Sequence, residues 1–209
     1  MTGQRDAADK QSEYMRDGLA ETRKAADAAV ESAGTADESL VAVQRPFVHV
    51  QGFHQSMRWD DLPDGTPTNI EYRVTPILEN SGATPTVDMR LVVEYEVRTT
   101  PLPAGFDFSY SESMAPVVIG PHGHLSAATG VIPASDLVAV KNGSRHVYVW
   151  GTAGYADVFD PAGLVHEVRF CYRITNVLGD PANPRTAKNP AGTDVEYTLF
   201  MHSEHNSAR

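Results

Sequence analysis

A single cysteine, Cys171, stands in 209 residues. No disulfide within the chain can therefore staple the fold, and a reducing compartment suits it. No stretch approaches the roughly 18 consecutive apolar residues of a membrane helix. The first residues, Met1 to Gly18, also lack the apolar run of a signal peptide. Cations are scarce: 17 Lys and Arg face 27 Asp and Glu, for a net charge of −10. Phosphate backbones and anionic lipid both need clustered Lys and Arg, so neither nucleic acid nor a charged membrane surface is an expected partner. Gly-rich phosphate loops, GxSxG elbows and kinase-type patterns are missing as well. The sequence thus indicates neither an enzyme nor a cofactor.

Proline is absent from Asp6 to Val43, where alanine is abundant and charges of both signs alternate. This composition predicts a helix. Its positions Met15, Leu19, Thr22, Ala26, Ala29, Ala33, Ala36, Leu40 and Val43 keep an unbroken 4-3 spacing, the a/d series of a coiled coil. Alanine is the commonest residue of that seam, four of the nine positions, so its middle layers bury little, and a stalk or a weak homo-oligomer is expected. Gly18 and Gly34 each cost about 1 kcal/mol in a helix and predict fraying or a bend. Arg45-Pro46 ends the helix, because proline pushes its predecessor out of the α region. The expected domains are a helical stalk over 1–45 and a β domain over 46–209.

Beyond Pro46 the pattern turns to short β-branched and aromatic runs broken by Pro, Gly, Asn and Asp, as in an immunoglobulin-like antiparallel β-sandwich. Strands are expected at Phe47–Phe53, Ile70–Glu79, Val87–Arg98, Pro116–Ile119, His124–Val131, His146–Ala156, Val165–Thr175 and Val195–Met201. Alternation within several of them predicts one packed and one wet face. Asp64-Gly65 and Asn80-Ser81-Gly82 read as turns that tolerate positive φ. Asn142-Gly143 fits either a hairpin turn or the stop of a short helix from Ser135. Leu178 to Thr193 reads as an exposed loop.

Three groups of side chains suggest chemistry. His122 and His124, two apart, could begin a metal site, and His202, Glu204 and His205 form a second cluster. Trp59, with Phe106, Phe108 and Tyr110 at alternate positions, could form a stacking platform for a small molecule or carbohydrate, although core packing is the commoner use of such rings. Asp157 and His166 approach each other if their strands make a hairpin. Cys171 lies five positions from His166 and so faces the other side of an unbulged strand. Cys171 is therefore expected to be a small residue on one sheet face, rather than a nucleophile with Asp157 and His166 as orienter and base.

The stretches ETRKAADAAVESAGTADESLVAVQRPFVHV, YRVTPILENSGATPTVDMRLVVEY, HVYVWGTAGYADVFDPAGLVHEVRFCYRI and MHSEHN resemble a group of uncharacterised proteobacterial proteins. These carry an N-terminal membrane helix, an Ala-rich helix and a β-sandwich that opens on an Arg-aromatic-Val motif and contains an Asn-x-Gly-x-Thr-Pro turn. The resemblance runs from about Glu21 to Asn206. It matches Arg45-Pro46-Phe47-Val48, the turn from Asn80 to Pro85, the late positions Tyr155, Asp157, Phe159, His166, Phe170 and Cys171, and His205-Asn206. It implies a helical Ser135–Lys141, a buried polar anchor between two hairpin strands at Asp157, His166 and Cys171, and a cytoplasmic protein at the inner face of the inner membrane. The sequence itself shows no membrane helix, so membrane association is expected only if one precedes it in the native gene. The function expected is a non-enzymatic interaction or scaffold module with a protein partner.

Overall fold

The computed structural model describes residues 2–108, 115–127, 130–160 and 165–208, with side chains from residue 11 onward apart from 12 and 13. Tyr110 lies outside the described residues. Two compact units are present, Met1–Gln44 and Arg45–Arg209.

The first unit is helix α1, Thr2–Gln44. It runs without a break through Gly18 and Gly34, where an added Cβ would meet nothing within 4 Å. Neither glycine interrupts the helix, the rest of its long Ala-rich run outweighing the roughly 1 kcal/mol cost of each.

The second unit is mainly β, two antiparallel sheets packed face to face as a sandwich. One sheet has β1 (Val48–Asp61) at its edge, then β2 (Pro67–Asn80), with the short β4 (His124–Ser126) and β5 (Ile132–Pro133) sharing the far side of β2. The other runs β3 (Val87–Arg98), β6 (His146–Ala156), β7 (His166–Leu178) and β8 (Glu196–Met201), with β9 (Ser207–Ala208) also on β7. Helix α2, Ala134–Lys141, sends Leu137 into the core among Tyr72, Val147 and Ile174. Gly143 at φ +71° stops it; the Asn142-Gly143 pair is thus a helix stop, where glycine takes the left-handed conformation without penalty.

Several elements differ from expectation. Strand β1 reaches Asp61 because its register with β2 recovers after two irregularities, between Val50 and Gly52 and between Arg58 and Asp60. In place of the strand expected at Pro116–Ile119, the described residues show an isolated bridge, Met89 to Val117. The segment from Leu178 to Thr193 is not a loose loop. It buries Pro181, Pro184, Thr186 and Gly192 and is knitted by Thr186 and Asn189 bonding each other's backbone. Its Lys188 reaches Asp61 of the β1–β2 hairpin at 3.0 Å.

The wet outer face expected of the second sheet is largely covered. Odd positions of β6, such as Val147, Val149 and Ala153, enter the inner core, while the even Tyr148 and Trp150 point outward. Over them lie Leu102, Phe106 and Phe108, together with Cys171 from β7. The Leu102 amide donates to the Tyr148 hydroxyl (3.2 Å), and His205 meets the Pro103 carbonyl at 3.0 Å. Ten of the eleven β6 residues are consequently buried. Alternation in sequence marks which side chains share a face, and cannot tell whether a distant segment will cover that face.

Candidate functional site

The densest polar constellation lies where the chain enters the sandwich. Asp157 directly follows β6 and is 2% exposed. Its Oδ1 accepts from the amides of Phe159 and Asp160, both at 2.8 Å. Its Oδ2 faces His166 Nε2 at 3.2 Å and Arg45 Nε at 3.0 Å. The arginine contact is an ion pair without hydrogen-bond alignment. His166 stacks on Tyr155, with ring centroids 5.3 Å apart. The Tyr155 hydroxyl accepts from the Val48 amide at 3.2 Å and meets the Pro46 carbonyl at 3.4 Å. Burial holds the Tyr155 hydroxyl above its ordinary pKa, with the Asp157 charge adding to the effect and the Val48 amide opposing it.

Beside this group stands Asn80, fully buried at the end of β2. Its Oδ1 accepts from the amides of Phe47 and Gly82, each at 3.0 Å. Its Nδ2 is shared among the carbonyls of Thr84, Ile119 and Gly120 at 2.7–3.3 Å. Asn80, Ser81 and Gly82 are not among the positive-φ residues. Gly82 is instead required by a close approach, since a Cβ there would stand 2.1 Å from the Arg45 carbonyl oxygen. The Arg-Pro-Phe-Val opening and the Asn-x-Gly-x-Thr-Pro turn are thus two halves of one lock.

The polar groups of this arrangement bond one another and the backbone around them. Both Asp157 oxygens are occupied, and the one thiol lies elsewhere: Cys171 packs with Tyr148 and Trp150 on the outer face of its sheet. Burial pushes the Cys171 thiol up to about 12, the opposite of an activated nucleophile. Asp157 and His166 therefore form the anchor, and Cys171 has no place in it. Burial tends to raise the Asp157 pKa, but the Asp160 amide, His166, the Phe159 amide and Arg45 outweigh it and leave the value below the ordinary one.

A group with a depressed folded pKa stabilises the fold above its unfolded value, near 3.9, and loses that contribution as pH falls toward the folded value. Asp157→Asn should lower the urea midpoint at about pH 6, and its gap from the unmodified protein should shrink as pH approaches about 3. A gap that stayed constant across that range would show that the carboxylate charge contributes nothing.

The other expected groups are scattered. Phe106 and Phe108 do not make a platform: both rings stand edge-on to Trp150, at 5.5 and 5.4 Å, and Phe108 is buried. Trp59 lies half-buried on β1 of the other sheet, its indole N–H donating to Asp61 at 3.1 Å. His122 and His124 are both exposed. Among the described residues no group of three or more His, Cys, Asp or Glu is placed to hold a metal ion. His202 and His205 stack at 4.6 Å as part of the outer cover. Burial, then His205 and Arg173, press the His202 pKa down, while Glu204 acts in the other direction.

A cavity of about 270 Å³ opens between Gln55 and Met57 of β1, the rings of Tyr72 and Tyr197, and the loop at Arg185 and Asp194. It falls just below the usual range of small-molecule pockets, about 300–1,000 Å³.

Among the described residues no helix is long and apolar enough to cross a membrane. In comparisons with known proteins, no protein-family model, no curated protein and no solved structure matches the chain.

Proposed function

We propose that the protein is a non-enzymatic interaction module of the scaffold type, working in the cytoplasm. In this reading α1 is an assembly element, and an immunoglobulin-like β-sandwich carries the surface offered to a protein partner. The observation that carries it is the exposed seam of α1. Met15, Leu19, Leu40 and Val43 are 62%, 70%, 55% and 79% exposed, although they fall on a single heptad stripe. An apolar stripe on a helix is there to be buried, and isolated helices draw little stability from propensity alone.

The polar anchor at Asp157 supports the same reading, because its groups are spent on holding the chain together. The lone cysteine is compatible with a reducing cytoplasm. Sedimentation velocity of the full chain should give a mass above the 22.7 kDa monomer, and Leu19→Asp with Leu40→Asp should return it to the monomer with the β-sandwich signal unchanged. A chain that stays monomeric up to submillimolar concentration would remove the proposal.

A further inference from the structure

We infer that α1 pairs antiparallel with α1 of a second copy of this chain, in a register centred on residue 31. The inference rests on the reading of α1 as an assembly element and adds its partner, its direction and its register.

The residues that flank the heptad seam decide the direction. On one side, at the e positions, stand Arg16, Arg23, Val30, Asp37 and Gln44; on the other, at the g positions, stand Gly18, Ala25, Ser32 and Ser39. Parallel helices set the g side of one against the e side of the next heptad in the other. That would place Gly18 beside Arg23, Ala25 beside Val30 and Ser32 beside Asp37, without a single pair of opposite charges. Antiparallel helices set e against e and g against g. About residue 31 this brings Arg23 of each copy against Asp37 of the other, twice by the two-fold axis. It also sets Val30 against its own copy at the centre and Arg16 against Gln44.

Arg23 and Asp37 are both exposed and make no ion pair among the described residues. Val30 is the one apolar e residue, and it is 73% exposed. The pairing gives each of these three a partner of its own kind of chemistry.

The seam agrees with that register. Leu19 meets Val43 and Leu40 meets Thr22 at the two ends, while alanine faces alanine in the middle. The small g residues Ala25, Ser32 and Ser39 lie beside those central layers and let the backbones approach closely. Sliding by one heptad would still give Asp37 an arginine, Arg16, but would set Leu19 against Ala36 and Val30 against Arg23. Exposed ion pairs contribute only about 0.2–1 kcal/mol each, so the charges select direction and register while packing supplies the affinity.

The test uses the full chain with a nitroxide on Asp17→Cys, a position facing away from the seam; the native Cys171 is fully buried. At 1.5 Å per residue, antiparallel pairing about residue 31 separates the two labels by about 42 Å along the axis. Parallel, in-register pairing holds them at one level, within about 20 Å. Pulsed electron paramagnetic resonance reads that distance. R23D alone and D37R alone should each weaken dimerisation about tenfold, and the two together should restore it, because each single reversal sets like charges face to face twice. A long distance with rescue in the double variant establishes the pairing. A short distance with dimerisation indifferent to the reversals overturns it while leaving α1 as an assembly element. A monomer at all concentrations overturns both.

Discussion

Asn80→Ala should reduce the free energy of unfolding by about 4 kcal/mol, measured as a shift of the urea midpoint at constant m-value. The substitution strands the amides of Phe47 and Gly82 and takes one donor from each of the carbonyls of Thr84, Ile119 and Gly120, of which Ile119 keeps the Thr86 amide and Gly120 the Gly123 amide. A buried polar group left without a partner costs about 1–3 kcal/mol, and water entering the vacated space recovers part of it. Asn80→Asp is the sharper control. It keeps an oxygen for the two amides but turns a second one toward three carbonyls, so it should be at least as damaging. A loss under about 1 kcal/mol for both variants would mean that the turn holds without its side-chain lock.

Gly151→Ala should be nearly as costly, on the order of 3 kcal/mol. Gly151 lies in the middle of β6, paired with Val93 on one side and Phe170 on the other. A Cβ there would stand 2.4 Å from the Phe170 ring and 2.5 Å from the Val92 carbonyl oxygen. The ring could rotate away, but the carbonyl belongs to the neighbouring strand, and moving it opens the β3–β6 ladder. Calorimetry of the variant should show a much lower melting temperature. Phe170→Leu combined with Gly151→Ala should recover only the part of the loss due to the ring. Full recovery would place the strain in the ring alone.

Strands whose apolar residues alternate or cluster between turn signals were legible from sequence, and β3 and β6 have the expected bounds of Val87–Arg98 and His146–Ala156. The long helix and its stop before Arg45-Pro46 were legible for the same reason, a sustained period and a residue that cannot continue it. What escaped was set by contacts distant in sequence. Asn80 reads as a turn residue, because nothing local shows that its amide will face carbonyls some 40 positions later. Phe106 and Phe108 alternate like a binding platform, yet Trp150 takes them up.

At the candidate site the approach of Asp157 and His166 followed from hairpin geometry. The distance of Cys171 from them followed from strand parity. The part of Arg45 could not be read, because no spacing rule connects the end of a helix to an acid more than a hundred residues away. The resemblance pointed to Arg45 and Asn80 as positions, and geometry supplied their roles.

The lock at the entrance to the sandwich also has a mechanical side. Tension passing along the chain out of Gln44 would meet, within four residues, Arg45 held by Asp157, the Phe47 amide held by Asn80 and the Val48 amide held by Tyr155. Two of these holds lie at the end of β6 and the third at the end of β2, so the load is divided between both sheets before the first ladder bond of β1 carries any of it. A strand gripped in this way yields by shearing several bonds together, whereas a strand entered without such grips unzips from its end one bond at a time.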